Sequence, residues 1–190
     1  MARRGFTARR STVRLKLEPF ERDTLAGLLN QLESLLAPTT DARPAAQEGS
    51  VDDPFAALMG IPESASTPTD PVLRRLLPDG YRDDPEAAEE FRRFTEADLR
   101  RQKADRARNA RATLVGGTDV IELDEQAASD WMLTLNDLRL ALGTALGVTE
   151  DLPLDSPDPN DPGARNFVLY DWLTWLQSSC IDAMSRSGRG

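Results

Sequence analysis

The side chains that most often carry out catalysis are scarce in this chain. Its 190 residues include no histidine, which removes the Ser-His-Asp arrangement, the commonest general base and the commonest zinc ligand. Cys180 is the single cysteine, so neither an intramolecular disulfide nor a cysteine-rich zinc site can form. We therefore expect a protein that is not an enzyme, with no catalytic residues, no metal ligands and no cofactor.

Cys180 remains a candidate for redox chemistry. A sensor thiol needs exposure and nearby cations, but the flanking residues are Ser178, Ser179, Ile181 and Asp182. Cys180 also falls on the apolar stripe of a predicted helix, and free cysteine is among the most buried residue types. The favoured interpretation is a small buried hydrophobe. The alternative is a redox role through sulfenic acid, a mixed disulfide or an intermolecular bridge.

An acidic cluster near residue 85 has the composition of a metal site but not its pattern. Calcium loops alternate their ligands and contain a glycine at a fixed position, and this cluster has neither feature. Carboxylates near a helix N-terminus are stabilised by the helix dipole, which favours a capped helix start. The cluster consists of Asp83, Asp84, Glu86, Glu89 and Glu90.

Polar residues interrupt two leucine- and tryptophan-rich segments near the C-terminus. Asn136, Asp137 and Arg139 lie within one segment, and Asp171 lies within the other. They form either a polar recognition patch or an interhelical ion pair between Arg139 and Asp171. We favour the pair because buried charges are usually paired. Trp175 lies off the main apolar stripe and is a candidate for an exposed interface anchor.

Two basic clusters are candidates for contacting nucleic acid or a partner. Residues 91–111 contain eight bases against three acids, and residues 1–16 contain six bases and no acid. DNA-binding proteins usually combine a basic domain with a helix-turn-helix or similar signature. This chain has a net charge of −9, a pI near 4.6 and no such signature, so direct DNA binding is the less favoured interpretation. The candidate residues are Arg3, Arg4, Arg9, Arg10, Arg100, Arg101 and Lys103.

The elements that must position these residues are mostly helices. Apolar residues recur at spacings of three, four and seven, which is typical of amphipathic helices, and Asp-Pro pairs and glycines mark their ends. The predicted fold is an all-α bundle of four or five helices. The four main helices are expected at about 19–37, 85–114, 124–147 and 164–185, with a helical turn at 72–77.

The remaining segments define the predicted domain organisation. Residues 1–17 are interpreted as a basic arm with a short strand, because TVRLKL alternates polar and apolar residues. Residues 18–190 are expected to form a single helical domain. A flexible insert at 38–71, with six prolines, and a Pro/Asp-rich linker at 148–163 interrupt it.

The compartment follows from what the sequence lacks. The basic N-terminus is not followed by a continuous apolar segment, unlike a secretory signal peptide, and no apolar run approaches the roughly 18 residues of a membrane-spanning helix. A secreted protein of this kind would usually carry paired cysteines. We therefore expect a cytoplasmic protein without a membrane partner.

Three stretches resemble a known family. RRLLPDGYRDDPEAAEEFRRFTEADLR (74–100), WMLTLNDLRLALGTALG (131–147) and YDWLTWLQ (170–177) are similar to the actinobacterial AosR-like family, formerly a domain of unknown function. The resemblance implies an oxidative-stress transcriptional regulator that contacts the transcription machinery, such as a sigma factor or an RNA polymerase component. Family genes often lie beside that of the Clp protease adaptor, which implies a second interpretation, an interaction module in regulated proteolysis.

Overall fold

The computed structural model describes residues 4–37, 67–81, 83–116, 119–148 and 164–187. Arg3, most of the predicted insert 38–71 and nearly all of the predicted linker 148–163 lie outside these ranges. The described residues form five helices and three strands. These are β1 (Gly5–Arg9), β2 (Thr12–Lys16), α1 (Pro19–Leu36), α2 (Pro71–Leu76), α3 (Pro85–Thr113), β3 (Val120–Leu123), α4 (Glu125–Ala145) and α5 (Ala164–Ser187).

Local sequence signals fix the helix starts. Asp84 and Asp124 accept hydrogen bonds from the third residue of α3 and α4, at 3.0 and 2.7 Å, and Asp70 caps α2 in the same manner. Glu18 and Glu21 form a capping box at the start of α1. Proline occupies an N-terminal position of α1, α2 and α3, where its missing N–H costs no hydrogen bond. The expected helix positions are therefore confirmed to within a few residues.

The fold is mainly helical but not all-α, because a three-stranded antiparallel sheet is part of the core. β2 lies between β1 and β3, with Phe6 opposite Leu15 and Leu15 opposite Ile121. Phe6, Val13 and Leu15 are buried. Residues 4–17, expected to be a basic arm, thus form a hairpin whose apolar side chains pack in the core. The alternation in TVRLKL is the pattern of a strand with one buried face.

The core is organised around α4. Trp131 and Leu135 of α4 are fully buried, and the Trp131 ring meets Phe6 edge-on with ring centroids 5.9 Å apart. The indole Nε1 donates to Thr113 Oγ1 at 3.0 Å, which satisfies its only polar group. α4 packs against α3 and α5, α1 packs on α3, and β1 packs on α5.

The long helix α3 packs through small side chains. Ala88, Ala107 and Ala110 are buried, whereas Phe91 and Phe94 are 45% and 47% exposed. Alanines allow the neighbouring helices to approach α3 closely. The rings of Phe91 and Phe94 project from another face of the helix. No helix among the described residues is both long and apolar enough to cross a membrane.

Candidate interaction surfaces

The charged residues in the middle of α4, Asp130, Asp137 and Arg139, are engaged with neighbouring helices rather than available to a partner. Lys103 Nζ donates to Asp137 Oδ1 at 2.6 Å, and the two side chains are only 13% and 4% exposed. Asn109 of α3 similarly donates to Asp130 of α4 at 2.9 Å. Lys103, expected among the basic contact residues, therefore joins α3 to α4 instead. Asn136, which also lies on α4, is half-buried.

The predicted ion pair between Arg139 and Asp171 is wrong. Arg139 Nε donates to Thr174 Oγ1 at 2.9 Å, and its Nη1 donates to Gln177 Oε1. The guanidinium carbon lies 5.6 Å from the centroid of the Tyr170 ring, whereas Asp171 is exposed. One residue rotates a helix by about 100°, which turns Asp171 away from α4. Positions 170, 174 and 177 are spaced by four and three residues. This spacing is the signal that identifies the residues of α5 that face α4.

Most of the described basic candidates have carboxylate partners. Arg4 lies 2.8 Å from Glu18 and Arg9 lies 3.6 Å from Glu122. Arg100 and Arg101 each lie 2.7 Å from a carboxylate oxygen, of Glu96 and Asp98 respectively. Arg10 is exposed in the β1–β2 turn with φ near +50°. These carboxylates offset the positive charge that a surface needs in order to bind the phosphate backbone of DNA.

Cys180 is fully buried between α4 and α5. Its Sγ lies 3.7 Å from the Ala128 carbonyl oxygen and 3.9 Å from Met184 Sδ. Burial raises the pKa of the Cys180 thiol to about 12, because the thiolate would lose its hydration. Nucleophilic and redox reactions need the thiolate, so this environment suppresses them. The described residues contain no cluster of three or more His, Cys, Asp or Glu that could hold a metal ion.

The first exposed feature is a groove between α3 and the turn that follows α2, here called the α3 groove. It encloses about 410 Å³, and its apolar lining includes Leu77, Pro78, Phe91, Phe94 and Leu99. Tyr81, which is 52% exposed, meets Phe91 edge-on with ring centroids 6.0 Å apart. A Cβ atom added to Gly80 would lie 2.6 Å from Phe91 Cδ1, so glycine there allows the ring its position.

A charge cluster centred on the buried Arg92 borders the α3 groove, and two of its members, Arg92 and Glu96, line the groove. The Arg92 guanidinium donates to Asp79 and to Glu96 Oε2, the latter at 2.6 Å, and Glu96 also accepts from Arg100 at 2.7 Å. Burial lowers the pKa of Arg92, but the hydrogen bonds to Glu96 and Asp79 outweigh it and raise that pKa overall. Arg92 therefore stays charged, and the two cations and two carboxylates balance each other.

The second exposed feature is a groove of about 580 Å³ between β1 and α5, here called the β1–α5 groove. Trp175, expected as an interface anchor, lines it and is 47% exposed. The same ring packs against Gly5, where an added Cβ atom would lie 2.7 Å from Trp175 Cη2. Ser179 Oγ accepts from the Phe6 backbone N–H at 3.2 Å. Trp175 therefore holds β1 to α5 as well as facing solvent.

Sequence reasoning missed the α3 groove. Phe91 and Phe94 are the largest apolar residues of α3, but they do not mark its packing face, because both are about half exposed. The better signal is the stripe of Ala88, Arg92, Leu99, Lys103, Ala107 and Ala110, which recurs at spacings of three, four and seven. These residues are buried or half-buried, and the two phenylalanines lie beside the stripe.

Comparison with known proteins identifies relatives along nearly the whole chain. A family model described as "Domain of unknown function (DUF2017)" matches residues 3–184. The chain is 35% identical over 182 residues to proteins named "Oxidative stress regulator AosR" in Mycobacterium tuberculosis and Mycobacterium bovis, covering 88% of this chain and 80% of each relative. A relative in Mycobacterium leprae is 33% identical over 174 residues, 84% of this chain and 73% of its own length. No solved structure matches.

Proposed function

Because the chain belongs to the DUF2017 family, whose mycobacterial relatives are named oxidative stress regulators, we propose that it is a regulator in the oxidative-stress response. It acts without catalysis, by contacting a protein of the transcription machinery such as a sigma factor or an RNA polymerase component. The name of these relatives supports the regulatory role, and the exposed surfaces support the mode of action.

The observation that carries the proposal is the contrast between internal charges and exposed aromatic rings. Lys103, Asp137 and Arg139 are engaged between helices, whereas Tyr81, Phe91, Phe94 and Trp175 are each about half exposed beside a groove. Tyrosine and tryptophan are enriched among the residues that dominate the binding energy of protein interfaces, and phenylalanine is enriched at interfaces generally. The free surface is thus better suited to protein contact than to catalysis.

The distribution of charge favours a protein partner over DNA. A DNA-binding surface gains most of its affinity from cations that neutralise phosphates. Here Arg4, Arg9, Arg100 and Arg101 each lie within 4 Å of a carboxylate, and the net charge is −9. Phosphates that approached these arginines would also approach the carboxylates paired with them. The repulsion between the two kinds of negative group opposes binding.

Affinity purification tests the proposal. The full-length tagged chain would be expressed in its own organism, with and without oxidant, crosslinked briefly and purified, and its partners identified by mass spectrometry. We expect a sigma factor or RNA polymerase subunits at a crosslinked site. Recovery of Clp protease components in their place would replace transcription with regulated proteolysis. Turnover of a small molecule, abolished by one substitution, would contradict the proposal altogether.

A further inference from the structure

We propose that the α3 groove binds a positively charged, amphipathic segment of a partner protein. This inference rests on the proposed function and deepens it, because it names the surface and the chemistry of the segment that the surface fits. The partner would place one or two apolar side chains between the aromatic rings. Its arginine or lysine residues would lie over the rings and beside the acidic residues described below.

The shape of the groove suits side chains rather than a large ligand. About 410 Å³ lies near the lower end of the volumes found for binding pockets. The rings of Phe91 and Phe94 and the half-buried Leu99 offer apolar contact, and Tyr81 extends this surface beyond Phe91. An amphipathic helix binds such grooves through apolar residues spaced three or four apart.

Carboxylates border this apolar surface. Glu86, Glu90, Phe94 and Asp98 follow one another at spacings of four, so they form one ridge along α3. Asp83 and Asp84 follow Tyr81 in the chain, separated from it by Arg82. We call Asp83, Asp84, Glu86 and Glu90 the acidic rim. All four are exposed, and none forms a salt bridge with a cation that the structure describes.

The helix dipole explains why acids occupy only some positions of the acidic rim. Asp84 caps α3 through the Ala87 N–H, and Glu86 lies in the first turn, where the dipole stabilises an acid. Glu90 lies beyond that turn, where the effect has faded. Further along α3, by contrast, Asp98 and Asp105 each pair with the arginine three residues later. Among the described residues, no cation therefore neutralises the acidic rim through a salt bridge.

The aromatic rings also suit a cationic segment. The Arg93 guanidinium carbon lies 4.9 Å from the centroid of the Phe94 ring, so this ring already makes one cation–π contact within the chain, and a partner's cations would lie over the exposed rings of Phe91 and Tyr81. Such contacts contribute about 0.5–2 kcal/mol, more when desolvated. The charge cluster around Arg92 does not repel a cation, because Arg92 and Arg100 are offset by Asp79 and Glu96. The β1–α5 groove, in contrast, carries both Arg186 and Asp182 on one side.

A peptide titration of the full-length protein tests the inference. The probe is a fluorescein-labelled peptide of about 18 residues, or five helical turns, with leucine on one face and arginine on the other. The comparison peptide carries glutamate in place of arginine. We expect the arginine peptide to bind and to shift the amide NMR signals of residues 77–102, and the glutamate peptide not to bind.

Two variants locate the binding. Combined Phe91→Ser and Phe94→Ser should weaken binding of the arginine peptide by about tenfold or more, equivalent to about 1.4 kcal/mol. The matched control, Val168→Ser, removes an exposed apolar side chain from α5 and should leave binding unchanged. If the double variant does not fold, Glu86→Gln with Glu90→Gln should weaken binding and reduce its salt dependence. Glu89→Gln with Glu125→Gln is the control for charge.

Several outcomes would overturn the inference. They are equal binding of the two peptides, equal loss with the control substitutions, and signal shifts centred outside residues 77–102. This failure is distinguishable from failure of the proposed function, because the affinity purification does not depend on which surface is used. Recovery of polymerase or a sigma factor with the Phe91→Ser, Phe94→Ser variant would refute the groove and leave the proposed function standing.

Discussion

Lys103 lies in the basic half of α3, yet its ammonium group donates to Asp137 at 2.6 Å between two helices. Removing one partner of such a pair leaves the other charge buried without compensation, which costs about 3–5 kcal/mol. We predict that Asp137→Ala lowers the free energy of unfolding by about that amount, measured by urea denaturation. Asp98→Ala breaks the exposed pair with Arg101 and should cost less than about 1 kcal/mol. Equal effects would show that Asp137 is not internal in solution.

Cys180 gives a second prediction at the residue scale. Because burial raises its pKa to about 12, we expect very slow reaction with a maleimide or a disulfide reagent at pH 8, and fast reaction in denaturant. Rapid labelling of the native protein would contradict the buried position and restore the redox interpretation.

The pH dependence of stability provides an independent check on Cys180. The folded state holds the thiol proton above the ordinary cysteine pKa of 9.0, so this group's contribution is complete below pH 9 and is lost as the pH rises towards 12. The free energy of unfolding should therefore fall more steeply above pH 9 in the wild type than in Cys180→Ala. Parallel pH profiles would contradict the raised pKa.

The contacts of individual side chains were the least predictable feature. The sequence indicated that Arg139 needs a polar partner on the last helix, and Asp171 was the expected partner because opposite charges usually pair. The structure gives Arg139 two neutral acceptors, Thr174 and Gln177. The rotation of α5 decides this outcome, and that rotation depends on the packing of its whole apolar face.

At the scale of elements, Gly5 connects the hairpin to α5. It has φ near +77°, and an added Cβ atom would lie 2.7 Å from Trp175 Cη2. We predict that Gly5→Ala destabilises the protein by more than about 1 kcal/mol and shifts tryptophan fluorescence.

The matched control for Gly5 is another glycine-to-alanine substitution, in α1. A Cβ atom added to Gly27 would have no heavy atom within 4 Å, and alanine favours a helix over glycine by up to about 1 kcal/mol. Gly27→Ala should therefore stabilise the protein slightly, as measured by thermal unfolding. Stabilisation by both substitutions would show that β1 does not pack on α5 as described.

Helices and strands differed in how well the sequence predicted them. Helix starts depend on caps such as Asp84 and Asp124, which act within four residues, so they were predicted accurately. The sheet depends on pairing β2 with β3 across about a hundred residues of chain. Nothing local in TVRLKL or VIEL specifies that partner, so the sequence predicted a short strand at the N-terminus but not the three-stranded sheet.

For the molecule as a whole, the composition gives predictions of function that stay predictions. The absence of histidine and the single cysteine directed attention to binding rather than catalysis, and the acidic net charge of −9 argued against DNA. Trp175 was identified because it lies off its helix stripe. The α3 groove was not identified, since it forms where α3 meets the turn after α2, and only the tertiary structure brings Phe91 beside Gly80.

The most direct measurement places a photoreactive amino acid at position 94 of the full-length protein, or at position 168 as the control, and identifies crosslinked proteins in living cells. Both positions are exposed, so crosslinking reports on neighbours rather than on folding. We predict that position 94 crosslinks to a basic segment of a sigma factor or polymerase subunit, and that position 168 does not. Two results would contradict partner binding at the α3 groove. One is equal crosslinking at both positions, and the other is no crosslinking at position 94 in cells where the tagged wild type recovers that partner.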